Sequence, residues 1–164
     1  MFVIVMGVTG CGKTTIGRLL AERVGLSFHD ADDYHSPENR AKMAADIALS
    51  DADRWPWLEH LARLALEWQA QGGAVLACSA LKQAHRDLLV QHVPEHAIVY
   101  LELPRATAEQ RLAARRGHHQ FVRDFQHLLD GQYRDLEPPQ DALALSAELP
   151  PSEIVEAAAA YVRR

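Results

Sequence analysis

The chain has 164 residues, 48% of them hydrophobic and 24% charged, with a formal net charge of −5 at pH 7. That length suits one domain, 1–164, with a continuous core, and the acidic balance argues against a broad nucleic-acid surface, though not against a local basic pocket. Two cysteines, Cys11 and Cys78, are too few for a disulfide framework or a Cys-based zinc site and suit a reducing cytoplasm, and no apolar run approaches the roughly 18 residues of a membrane span.

The first element is the apolar run Phe2–Met6. It lacks a basic n-region and feeds straight into a glycine-rich turn, so it reads as a core strand and not an export signal. Gly7 to Thr14 spells G-V-T-G-C-G-K-T, the phosphate-cradling pattern G-x4-G-K-[ST]. Gly7, Gly10 and Gly12 let the backbone curl, so that successive N–H groups from Thr9 through Cys11 to Thr15 point at phosphate oxygens. Lys13 supplies a mobile cation for the β- and γ-phosphates, and Thr14 a hydroxyl for Mg²⁺. A helix from Lys13 to about Val24, with Ile16, Leu19, Leu20 and Val24 at helical spacing, aims its positive end at the same anion. These residues predict binding of ATP with Mg²⁺.

A short strand, Ser27–Asp30, comes next and ends in Asp30-Ala31-Asp32. Such a carboxylate pair can divide labour, one oxygen set supporting Mg²⁺ through water and the other meeting an acceptor hydroxyl. The bland alternative is that both aspartates cap a helix near Tyr34. Residues 30–52 are polar with a Ser36-Pro37 break and read as a substrate-binding segment. A long helix, Asp53–Gln71, follows, capped by Asp51 or Asp53, with Pro56 in its first turn. Arg54, at the start of that helix, could grip a carboxylate through two parallel N–H bonds or simply be solvated surface.

The strand Ala74–Cys78 runs into Cys78-Ser79, where an acidic residue for Mg²⁺ is usual, which gives Asp30 more weight as its replacement. Helix Leu81–Gln91, strand Ile98–Leu103 and helix Thr107–Arg116 continue the rhythm. The basic, His-rich stretch Gly117–Gln126 breaks it and reads as part of a lid. A helix around Phe125–Leu136, a weak strand Ala142–Leu145 and a helix Ser152–Arg163, capped at its start with Glu153 and Glu156 in its first turn, complete the chain. Alternating strands and helices predict an α/β three-layer sandwich: a central parallel sheet of about five strands with helices on both faces. Ligands of such sheets bind beyond the carboxyl ends of the strands. The cluster of His118, His119 and His127 invites a metal reading, but no HExxH-type spacing accompanies it and a solvated, mobile lid is expected instead.

The chain also resembles the gluconokinase family of small P-loop kinases, related to shikimate and adenylate kinases. The resemblance rests on Gly7–Thr14, Asp30-x-Asp32-x-x-His35 with Asn39 and Lys42-Met43-Ala44, and Leu49-x-Asp51-x-Asp53-Arg54-x-Pro56-Trp57-Leu58. It continues through Cys78-Ser79-Ala80-Leu81-Lys82, Arg86-Asp87, Tyr100-Leu101, Arg111-Leu112-x-x-Arg115, Gly117-His118, Leu128-Leu129-Asp130, Gln132 and Leu136-Glu137-Pro138. It implies ATP-dependent phosphorylation of D-gluconate to 6-phospho-D-gluconate by a cytoplasmic enzyme, often a homodimer, with no nucleic-acid or membrane partner. By the same resemblance, Asp32 orients or deprotonates the acceptor hydroxyl and Asp30 supports the Mg²⁺ on Thr14. Arg54 holds the gluconate carboxylate, His35 and Lys82 lie near the hydroxyls, Arg111 lies against adenine, and Arg115 reaches the transferring phosphate from a lid spanning about 112–133. The substrate segment is about 30–58.

Some positions depart from the family pattern: Ala31 and Asp46 where glycine is usual, Ala48 where proline is usual, a shifted proline in Ser36-Pro37, and a stretch His119–Gly131 longer by about four residues. Two alternatives stay open at this stage. One is a related kinase for shikimate, a nucleotide or another sugar acid; the other is a nucleotide-regulated binding module.

Overall fold

The structure is a computed structural model that describes residues 1–45, 47–115 and 125–164. Every side chain of β1 (Phe2–Met6) is buried. Phe2, Ile4 and Met6 enter one core cluster, and Val3 and Val5 enter the other. This is the two-residue alternation of a strand with helices packed on both of its faces. β2 (Ser27–Asp30), β3 (Ala74–Ala77), β4 (His96–Glu102) and β5 (Leu143–Ser146) join it in the order β2-β3-β1-β4-β5. All four pairings are parallel, with Ile4 opposite both Leu76 and Ile98. The predicted five-stranded sheet is therefore present: β1 and β2 have the expected bounds, and the ends of the other three lie within two residues of those expected.

The helices divide between the two faces. α1 (Lys13–Val24) and α7 (Pro151–Val162) supply Ile16, Leu20, Ile154 and Ala158 to the cluster around Val3 and Val5. α3 (Asp51–Ala70) and α4 (Gln83–Val90) supply Leu58, Leu61, Trp68 and Leu89 to the cluster around Ile4. α5 (Arg105–Arg115) and α6 (Phe125–Asp135) close the first face near the carboxyl end of β4, through Ala108 and Leu129. No helix among the described residues is long and apolar enough to cross a membrane.

Local chemistry corrects several expected boundaries. Residues 30–52 are not one irregular segment: a 3₁₀ turn, Ala31–Tyr34, is followed by α2 (Pro37–Ala44). The Ser36-Pro37 pair read as a break is a helix start, because Ser36 accepts from the Asn39 N–H and Pro37 occupies the first position, where a missing N–H costs nothing. Neither Asp51 nor Asp53 caps α3. Ser50 does, with Asp53 completing a reciprocal capping box, so the helix starts earlier and Pro56 lies inside it, beyond the first turn. α7 likewise begins at Pro151 after Pro150, with no side-chain cap from Ser152. Asp46 lies outside the described residues.

α4 starts at Gln83 and not at Leu81, and the reason is a buried arginine. Arg86 is 1% exposed. Its Nη1 donates to the carbonyls of Ala80 and Leu81 at 2.9 Å, and its Nη2 to Gln83 Oε1 at 2.6 Å and the Glu137 carbonyl at 2.8 Å. Glu137 adds an N–H bond to the Leu81 carbonyl at 2.9 Å and accepts from the Gln83 N–H at 2.6 Å. These bonds fix residues 78–82 as a loop, including Ala80 at φ 41, a left-handed conformation uncommon outside glycine. Arg86→Met should therefore strand the buried Ala80 carbonyl, leave the Leu81 carbonyl only its Glu137 bond, and lower stability by on the order of 1–3 kcal/mol, the cost of an unsatisfied buried group. A chemical denaturation midpoint equal to that of the unsubstituted chain would refute this account of the loop.

Candidate active site

The glycine loop leaves β1 at the carboxyl edge of the sheet and ends in α1. Gly7 has φ 147, and a Cβ there would lie 2.7 Å from both Cys11 Sγ and the Leu101 carbonyl oxygen, so no larger residue fits. Gly12 caps α1 in the left-handed conformation, without a side-chain bond to the first turn. Among the described residues, the backbone N–H groups of Gly12, Lys13, Thr14 and Thr15 meet no protein acceptor. They are a helix's unpaired N-terminal donors aimed into an open cavity, an arrangement made for an anion. Lys13 Nζ donates to the Val8 carbonyl at 3.1 Å and so lies over the loop.

The cavity has a volume of about 220 Å³. Thr9, Gly10, Gly12, Lys13, Thr14 and Thr15 form one wall, and Asp30, Asp32, Ala77, Cys78, Ser79 and Arg115 form the rest. Nine of these are among the site residues expected from the sequence; Cys78 and Ser79 stand at the strand end expected to lie by the Mg²⁺ position, and Ala77 joins them as the last residue of β3. Gly7 and Cys11 shape the loop from beneath it: both are buried and neither lines the cavity. Burial pushes the Cys78 thiol up to about 12, which leaves it inert as a nucleophile.

Asp30 both caps and faces the loop. Its Oδ1 accepts from the Asp32 N–H at 3.1 Å, and its Oδ2 accepts from Thr14 Oγ1 at 2.7 Å. A hydroxyl and a carboxylate side by side are hard oxygen donors that fit Mg²⁺, which is commonly held by one or two protein groups plus phosphates and water. Asp32 points into the mouth of the cavity, with its side chain 84% accessible. Although the side chain is open to water, the walls crowding it, followed by the Asp30 charge, raise its carboxyl above the ordinary aspartate value, with Lys13 pulling the other way. His35 Nε2 lies 3.8 Å from Asp32 Oδ1, too far for a hydrogen bond. Its ring is stacked on Trp57 at 4.1 Å and its buried Nδ1 has no partner among the described residues. Burial, then the charges of Arg40 and Arg54, bring His35 down to about 4, so the ring is neutral at pH 7.

Next to His35 a second group of side chains converges on Asp51, at the first turn of α3. Lys82 Nζ donates to the two Asp51 oxygens at 3.2 and 2.9 Å. Arg54 Nη1 and His85 Nε2 lie 3.7 and 3.8 Å from Asp51 Oδ1. The Arg54 side chain makes no hydrogen bond among the described residues and is 33% accessible. Lys82 is thus engaged by the protein, while the Arg54 fork is open. The roles of Asp51 and His85 were not legible from the sequence, since they arise only where α3 and α4 meet.

Two residues brace the phosphate loop from outside. Arg111 donates to the carbonyls of Gly10 at 3.1 Å and Ala147 at 2.8 Å. Gln132, on α6, accepts from the Thr9 N–H at 2.6 Å and donates to Thr9 Oγ1 at 2.9 Å. Within the expected lid, about 112–133, residues 116–124 lie outside the described ones, including Gly117, His118, His119, Phe121 and Arg123. Among the described residues no cluster of three His, Cys, Asp or Glu side chains could hold a metal.

The shikimate kinase family matches residues 9–137 of the chain. A "Probable gluconokinase" of Mus musculus is 43% identical over 155 residues, covering 84% of this chain and 82% of that protein. A gluconokinase of Gluconobacter oxydans is 37% identical over 163 residues, covering 94% and 87%. The crystal structure of a gluconokinase from Sinorhizobium meliloti 1021 superposes with a TM-score of 0.84 at 37% identity, covering 99% of this chain and 91% of the other.

The neutral, buried His35 makes stability depend on pH in a definite direction. Its folded value, about 4, lies below the unfolded value near 6.5, so the unfolded chain binds the extra proton as pH falls through that interval. Its contribution is intact above about pH 6.5 and is lost progressively towards pH 4. His29 and His85 are lowered too, burial being the leading cause for each, so they share the slope. His35→Gln should flatten the fall in denaturation midpoint across that interval, and an unaltered slope would contradict the assignment.

Proposed function

This chain belongs to the gluconokinase family, within the shikimate kinase group of P-loop enzymes, and from that premise we propose how its residues share the work of phosphoryl transfer. The activity is ATP-dependent phosphorylation of D-gluconate to 6-phospho-D-gluconate. The observation that carries the residue-level reading is that a cradle of unpaired backbone donors and a carboxylate pair line the same cavity.

Phosphoryl transfer asks little covalent chemistry of the protein; it asks for alignment and charge neutralisation. The donors of Gly12 to Thr15, with that of Gly10 in the same turn, hold the nucleotide's phosphates, and Lys13 spans the β- and γ-groups; the Thr9 and Cys11 N–H groups, expected to join them, are instead taken by Gln132 and the Val8 carbonyl. Arg115, on the same cavity at the end of α5, offsets charge on the transferring group. Arg111, pinned beside Gly10, is placed for the adenine side of the nucleotide. Thr14 and Asp30 would hold Mg²⁺, which would neutralise phosphate charge during transfer. Asp32 orients the acceptor hydroxyl and takes up its proton; a carboxyl raised above its ordinary value is the better base for that step.

The acceptor's carboxylate goes to Arg54. An open guanidinium beside a neutral ring is suited to a bidentate anion, whereas a charged His35 would compete for it. His35 and Lys82 line the path of the hydroxyls between the two ends. On this reading 30–58 is the acceptor segment, 112–133 covers the nucleotide, and residues 1–164 act as one domain, supported by the single sheet that runs from β1 to β5. A cytoplasmic setting is supported by the two buried, free thiols, Cys11 and Cys78.

The direct test is ADP release from Mg-ATP with D-gluconate, against glucitol, which lacks the carboxylate. Gluconate alone should stimulate release; no stimulation over buffer would reject the reading. Asp32→Asn should cut kcat by roughly 10² or more. Arg54→Ala should raise KM for gluconate by about tenfold or more while leaving KM for ATP near its original value. An equal rise in both would remove Arg54 from the acceptor site.

A further inference from the structure

Asp51 stands out because the proposed chemistry has no use for it, yet it is the point on which three cation-capable side chains meet. They come from different places in the chain: Arg54 from α3, Lys82 from the loop after β3, and His85 from α4. The two permanent cations, Arg54 and Lys82, would repel one another unless an anion lay between them, and here the anion is the protein's own; His85, lowered by burial, joins them as a ring nitrogen. The contacts are graded. Lys82 is hydrogen-bonded to Asp51, whereas Arg54 and His85 approach it at 3.7 and 3.8 Å, beyond hydrogen-bond reach. The access is graded too. The Asp51 side chain is 60% accessible, against 33% for Arg54, 28% for Lys82 and 10% for His85, so the carboxylate enters the cluster from the solvent side and can withdraw towards it. The other nearby acid on α3, Asp53, is held elsewhere, by Lys42 at 2.8 and 2.9 Å and by the Ser50 N–H.

We propose that Asp51 is an internal stand-in for the acceptor's carboxylate: it keeps Arg54, Lys82 and His85 gathered while no acceptor is bound, and it yields Arg54 when the acid's own carboxylate arrives. This rests on the reading that Arg54 holds a sugar acid. The exchange swaps one carboxylate for another, with no bond made or broken. Arg54 is the charged partner released first, having no side-chain hydrogen bond to Asp51 to lose, unlike Lys82. Lys82 stays with Asp51, whose two bonds to it hold the pair together. A neutral polyol cannot replace an ionised carboxylate beside Arg54, so Asp51 acts as a specificity-determining residue that admits acids and rejects their uncharged analogues. The cost is affinity, because every incoming acid competes with a tethered one at high effective concentration.

The experiment compares the unsubstituted enzyme with Asp51→Asn, an exposed change that removes the charge and keeps the shape. Calorimetric Kd and kinetic KM for D-gluconate should both fall by roughly three- to tenfold, the size expected for losing one partly screened competing charge, while KM for ATP stays constant. A second readout separates charge exchange from simple structural loosening. Asp51 raises the titration midpoint of His85 against the larger opposing effect of burial, so in Asp51→Asn the His85 ring resonances should titrate lower. Adding D-gluconate should move them back up, because its carboxylate refills the vacated place. Gluconate turnover by the unsubstituted enzyme, together with an unchanged or raised gluconate Kd in the variant, would overturn this proposal and leave the functional reading standing. Failure of gluconate to bind His85's surroundings in the variant would do the same. Absence of gluconate turnover in the unsubstituted enzyme would instead reject the functional reading and this proposal with it.

Discussion

The structure depends on one feature of the backbone: the first turn of α1 begins without a cap. A helix's first N–H groups have no intrahelical acceptor and are ordinarily met by a side chain such as the one Ser50 offers α3. At Gly12 no side chain does this, and the donors of Gly12 to Thr15 face a cavity instead. The loop can hold that shape because Gly7 tolerates the approach of Cys11 and the Leu101 carbonyl. It is also braced from two sides, with Arg111 on the Gly10 carbonyl and Gln132 on Thr9. Both braces come from helices that flank the segment 116–124, so the nucleotide loop is tied to the elements on either side of it.

Opposite the cradle, charge is distributed by distance and by access to water. Asp30 lies against Thr14, where oxygen donors suit a hard cation, while Asp32 stands in the mouth of the cavity with its carboxyl raised. Two aspartates only two residues apart thus occupy different environments, because Asp30 ends β2 and Asp32 belongs to the 3₁₀ turn. The stacked, neutral His35 then separates this pair from the cations around Asp51. A charged ring at that place would repel Arg54 and attract Asp32. Its neutrality keeps the acidic pair and the cations around Asp51 electrostatically distinct.

Between the two ends runs the loop 78–82, which gives Ser79 to the cavity and Lys82 to Asp51. It has no regular structure, and its backbone carbonyls are satisfied by Arg86 and the Glu137 N–H. A buried arginine is costly to desolvate and is kept where few other groups could meet several carbonyls at once. Here it joins the chain after β3 to the chain after α6.

Much of this was legible in the order of residues. Strand alternation and helical spacing identified the five strands and most helices, because those periods are local properties of an extended or helical backbone. Gly7 to Thr14 declared its chemistry outright, since few other uses require that spacing of glycines before a lysine and a hydroxyl. Ser36-Pro37 and Ser50 through Asp53 were misread, although the capping signals were present, because polar residues in sequence look alike whether they start a helix or line a loop. What only the tertiary structure decided is which distant side chains meet. Gln132 reaches Thr9 across 123 positions, Arg86 reaches Glu137 across 51, and Lys82 reaches Asp51 across 31. Such pairings depend on how helices pack across a sheet, and no local period or composition records where that packing brings two side chains together.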